Sequence, residues 1–112
     1  MKGSLILILL VFSLNSVMAV SPRIKGMIRD KSTGYPIEFA DVIVLKKGET
    51  AAVSSTLSGT DGSFRLADIN DGEYSLLVRL IGYDVYTRET IALRPSQPVL
   101  DLGIIELQPL EV

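Results

Sequence analysis

The chain has 112 residues, 11 Lys and Arg against 13 Asp and Glu for a net charge of −2, and neither His nor Cys. That balance excludes the basic face with which a nucleic-acid binder meets phosphates. The missing residue types remove the commonest general base, the commonest zinc ligands, the thiol nucleophile and any disulfide staple together.

The first segment reads as a secretory signal peptide spanning residues 1–19. Met1-Lys2-Gly3-Ser4 supplies a short positive start and Leu5 to Leu14 is apolar except for Ser13. Small Val17 and Ala19 then stand at the positions a signal peptidase reads. The apolar run covers about ten residues where a spanning helix needs roughly twenty, so a membrane anchor does not fit. A lipoprotein anchor would need a Cys at the new N-terminus. Cleavage leaves 112 less 19, or 93 residues, and takes Lys2 with it, giving a mature charge of −3. A chain of that size forms one domain and buries only about 60 to 65 per cent of its unfolded surface.

In the mature part the hydrophobic period is two. Ile24, Gly26 and Ile28 share one face of a first strand, with Lys25 and Arg29 on the other. Asp30 to Pro36 breaks the pattern with Gly34 and Pro36. Phe39 to Leu45 follows as a strand apolar on both faces (Ala40, Val42 and Val44 against Ile43 and Leu45), as a central strand would be. Lys46-Lys47-Gly48-Glu49 ends it, and Ala51 to Ser58 makes a weaker strand of small residues. Asp61-Gly62 then predicts a tight hairpin into Phe64-Arg65-Leu66, with Gly62 left-handed.

Asp68 to Gly72 makes the next reversal. Beyond it Tyr74, Leu76, Val78 and Leu80 point one way while Ser75 and Arg79 point the other, which makes those four the best core candidates. Tyr83 to Leu93 reads as a strand that returns to the core at Ile91 and Leu93. Arg94 to Pro98 is a second Pro-containing break, and Val99 to Leu107 supplies the last strand. About seven short strands without a helix suggest a sandwich or a small barrel.

Six short motifs stand in a fixed order: Ile24-Lys25-Gly26-Met27-Ile28-Arg29-Asp30, Thr33-Gly34-Tyr35-Pro36, Asp61-Gly62-Ser63-Phe64, Asn70-Asp71-Gly72-Glu73-Tyr74, Ile81-Gly82-Tyr83 and Leu102-Gly103-Ile104-Ile105. In this order the chain resembles the carboxypeptidase regulatory-like domain. In particular it resembles the copy at the N-terminus of TonB-dependent outer-membrane receptors of Gram-negative bacteria. The resemblance implies an all-β, seven-stranded transthyretin-like (prealbumin-like) sandwich over residues 20–107. It also marks Tyr83, after Ile81-Gly82, as a packing residue. The family takes its name from an accessory domain of carboxypeptidases, so no peptidase activity is implied.

Residues that carry chemistry are few, and no catalytic, cofactor or metal site is expected. Asp68, Asn70, Asp71 and Glu73 offer oxygens for calcium, but Asp and Asn also stand in turns because they bond nearby backbone. The serines at 54, 55, 58 and 63 lack a base to activate them and read as surface hydroxyls. Tyr35, Tyr83 and Tyr86 would stack on sugars if exposed together, whereas Tyr in sheets usually covers a core edge.

The expectation is therefore a non-enzymatic, periplasm-facing accessory module, exported to the periplasm or outer membrane. It would be the N-terminal extension of a TonB-dependent receptor for solute import. Its partners would be that receptor's plug and barrel, with a periplasmic energy-coupling protein or a surface lipoprotein. Residues 108–112 would begin the linker to the plug, as a strand open to pairing with the energy-coupling partner. The alternative is a free-standing secreted carbohydrate-binding or adhesion sandwich, which requires exposed Tyr residues on one rim.

Overall fold

The computed structural model describes residues 21–111. The expected signal peptide and cleavage site lie outside the described residues. Seven strands follow in order: β1 Ile24–Asp30, β2 Asp41–Lys46, β3 Ala52–Leu57, β4 Ser63–Leu66, β5 Gly72–Arg79, β6 Tyr86–Leu93 and β7 Leu100–Leu107. They form a three-stranded sheet in the order β4-β1-β7 and a four-stranded sheet in the order β3-β2-β5-β6. β1 and β7 run parallel, and every other ladder is antiparallel.

The two sheets close on one core. From the larger sheet come Val42, Val44, Tyr74, Leu76, Val78, Ile91 and Leu93; from the smaller come Ile24, Ile28, Phe64, Leu66, Ile105 and Leu107. Alternation along β5 buries Tyr74, Leu76 and Val78 as expected. Leu80 lies past the strand end and is only partly buried. β2 is central, between β3 and β5, and this explains its two apolar faces: Val42 and Val44 enter the core, while Ile43 on the outer face keeps only 9 % exposure among its cross-strand neighbours. Burying such side chains supplies about 1.5–3 kcal/mol each.

Three expectations are corrected. Gly62 is left-handed at φ 82°, but the turn is not a hairpin. β3 and β4 are edge strands of different sheets, so Ser58 to Gly62 is a corner at which the chain changes sheet. Asp61-Gly62 encodes a sharp reversal, and which partner the next strand finds depends on Phe64 and Leu66 docking beside Gly26 and Ile24 of β1. Phe39 does not begin β2; it precedes the strand at φ 67°. Tyr83 to Val85 does not belong to β6, which starts at Tyr86.

Arginine 23 ties the end of the sandwich together. Its guanidinium donates to the carbonyls of Pro98 and Ile69 at 2.9 Å each and meets Asp71 at 2.9 Å. One planar fork thereby holds the loops after β6 and β4 against the start of β1.

Candidate functional site

At the opposite end of β5 from Asp71, three segments meet in a shallow groove of about 390 Å³. Phe39 comes from the approach to β2, Leu80 and Ile81 from the end of β5, and Tyr83 and Val85 from the connector to β6. Asp41 and Arg79, cross-strand partners in the β2-β5 ladder, border it with an ion pair of 3.4 Å. Both ends of that pair are solvated, so its contribution is small. Three of the apolar members stand in water, Ile81 at 98 % exposure, Phe39 at 62 % and Val85 also exposed, while Leu80 and Tyr83 are partly buried against the core.

Backbone geometry holds Phe39 outward. A bulky residue rarely adopts positive φ, and Phe39 does so between two anchored neighbours. The Ser58 hydroxyl donates to the Ile37 carbonyl at 2.7 Å and accepts from the Ala40 N–H at 2.9 Å, while the Phe39 N–H donates to the Ser58 carbonyl at 2.9 Å. Ser58 is 2 % exposed, which corrects its reading as a surface hydroxyl; Ser54, Ser55 and Ser63 are at least partly exposed.

Tyr83 fixes the other wall. Its hydroxyl donates to Asp30 Oδ2 at 2.6 Å, and Asp30 Oδ1 accepts from the N–H groups of Ser32 and Thr33 at 2.7 and 3.0 Å. The Tyr83 hydrogen bond, followed by the one from Thr33, holds the Asp30 carboxyl below its ordinary range. The same contact with Asp30 raises the Tyr83 phenol. Tyr83 is thus a packing and tethering residue, as the resemblance implied.

Next to this wall runs the tail. Asp84 N–H donates to the Gln108 carbonyl and Leu110 N–H to the Gly82 carbonyl, both at 2.9 Å, around a Tyr83–Pro109 bridge. Residues 108–110 therefore already pair on one side. On the other side Pro109 has no N–H to offer, so this stretch is a poor template for a further strand.

The other candidates of the sequence are dispersed. Asp71 is held by Arg23 and Glu73 by Lys47 at 3.3 Å; the Asn70 carbonyl accepts from the Tyr74 hydroxyl at 2.7 Å, and Asp68 occupies a left-handed turn at φ 57°. Among the described residues no three acidic side chains gather as a metal would require. Tyr35 is 72 % exposed, but Tyr83 and Tyr86 are half-buried, so the rings do not form one open platform. The groove itself went unread in the sequence. Phe39 and Val85 look like strand residues there, and Ile81 reads only as part of the Ile81-Gly82-Tyr83 motif.

Two packed sheets with this strand order define a transthyretin-like β-sandwich domain. The carboxypeptidase regulatory-like domain model matches residues 23–107, and the chain belongs to that family. Among curated proteins, none matches the chain in sequence. Solved structures share the fold. A chain of a type II cohesin–X–dockerin complex from Acetivibrio cellulolyticus is similar at TM-score 0.60 and 18 % identity, over 77 % of this chain and 56 % of that one. The major pilin subunit of Bacillus cereus is similar at TM-score 0.61 and 12 % identity, over 81 % and 31 %. The 5-hydroxyisourate hydrolase of Klebsiella pneumoniae is similar at TM-score 0.55 and 20 % identity, over 79 % and 91 %. The chain thus spans about half of the first structure's chain and about a third of the pilin's. At these identities the likeness concerns the fold alone.

Proposed function

We propose that this domain is a non-catalytic interaction and spacer module that faces the periplasm as the N-terminal extension of a TonB-dependent outer-membrane receptor. The observation that carries the reading is the apolar rim of Phe39, Ile81 and Val85 beside the docked tail. Side chains so exposed contribute little to the core, and an exposed apolar cluster offers a place where another surface can be met. Because the tail is bonded to the same connector, a plug following Val112 would start within reach of the rim. A partner strand would have to pair beyond Leu110, since residues 108–110 are engaged. In this role the domain holds and orients, while binding and passage of the solute belong to the plug and barrel.

The coding DNA beyond Val112 provides the first test. A plug followed by alternating strands of about ten residues supports the receptor, and a stop followed by an unrelated gene removes it. The second test is Ile81→Asp with Val85→Asp in the whole receptor. Solute uptake should fall at unchanged receptor level; unchanged uptake would count against the rim.

A further inference from the structure

The four sheet edges are not equally guarded. β4 is only four residues long and carries Arg65; β6 carries Arg88 and Glu89. β7 has a bulge at Gly103, whose N–H is taken by Asp101 Oδ1 at 2.8 Å. Short length, charge and bulges are the usual means of stopping edge-to-edge pairing. β3, Ala52 to Leu57, has no charge and no Pro, and its single bulge lies at its start, near Val53. The Ser58 N–H bonds the Ala40 carbonyl, and the 42/56 and 44/54 pairs follow at intervals of two. Ser54 and Thr56 therefore turn their backbone groups toward β2, and Ser55 and Leu57 turn theirs outward. On the outer face Val53 and Leu57 are exposed beside half-buried Leu45 and Leu77.

We propose that the β3 edge is a self-association surface, on which a second copy of this chain adds its own β3 antiparallel to join two four-stranded sheets. Self-complementarity favours a second copy over other strands. Around a two-fold axis near Ser55, Leu57 of each copy approaches the Val53 end of the other, the apolar and hydroxyl side chains match, and no like charges oppose within the strand. The contact is smaller than a standard interface, so the dimer forms reversibly with concentration.

The test is sedimentation of the purified exported chain over a concentration series, with hydrogen exchange of the Ser55 and Leu57 amides. The mass should double with concentration, and both amides should gain protection together. Ser55→Pro removes an outward N–H without touching the β2 ladder, so it should keep the melting point and weaken association by about tenfold or more. Ser55→Lys and Ser55→Asp should each stay monomeric, and mixing them should restore the dimer. A chain that is monomeric throughout overturns the proposal, as does a dimer that survives Ser55→Pro and Ser55→Lys. Protection that appears only with an added extended peptide would assign the edge to a peptide partner and likewise overturn it.

Discussion

The hydroxyl of Ser58 is bonded on both sides of Phe39, giving its hydrogen to the carbonyl of Ile37 at 2.7 Å and accepting the N–H of Ala40 at 2.9 Å. A buried side chain of one strand end thus holds the strained backbone from which an exposed ring projects into the groove. Strain of this kind persists only where its surroundings enforce it, and here the enforcement comes from the residue that follows edge strand β3.

Ser58→Ala should therefore destabilise the domain by about 1–3 kcal/mol, because the Ala40 N–H is left buried without a partner. Urea unfolding measures the loss. A midpoint equal to that of the parent would show that Phe39 is held by something other than the hydroxyl.

Gly62 should be less replaceable than its φ alone implies. A Cβ there would strike the Ile28 carbonyl oxygen and lie 3.2 Å from Pro36 Cβ, while the Gly62 carbonyl accepts the Ile28 N–H at 2.8 Å. Gly62→Val should cost about 3 kcal/mol or more, with Gly62→Ala close behind. Thermal melting of both variants checks it, and two neutral results would mean that the corner does not pack on β1.

The Asp30–Tyr83 bond makes stability depend on pH at both ends of the range. Asp30 is lowered from 3.8, so its contribution is present above that value and is lost as pH falls through the depressed folded value. Tyr83 is raised from 10.0, so its contribution is present below that value and is lost as pH rises through the elevated folded one. Tyr83→Phe should lower the melting point at neutral pH, and the gap between variant and parent should close toward both extremes. A gap that stays constant from acid to alkali would separate the bond from stability.

Export should leave Val20 as the first residue, since Val17 and Ala19 supply the small side chains before the cut. Intact mass of the secreted protein decides this. A retained Met1, or a cut inside Leu5 to Leu14, would refute the signal-peptide reading.

Period-two alternation in β5, apolar residues on both faces of β2 and the turn residues between strands were enough to establish about seven strands in a sandwich or a small barrel, and the family resemblance chose the sandwich. These features are local, because side-chain direction in a strand repeats every two residues whatever the strand pairs with. The order of the six motifs added the family. Which edge lies beside which was decided only in three dimensions. The Asp61-Gly62 corner looks like a hairpin until Phe64 and Leu66 find β1, and Ser58 looks like a surface hydroxyl until the Ile37 to Ala40 segment folds over it. The same holds for the rim. Phe39, Ile81 and Val85 are ordinary apolar residues in sequence, and their exposure follows from the packing of two sheets whose core is filled without them.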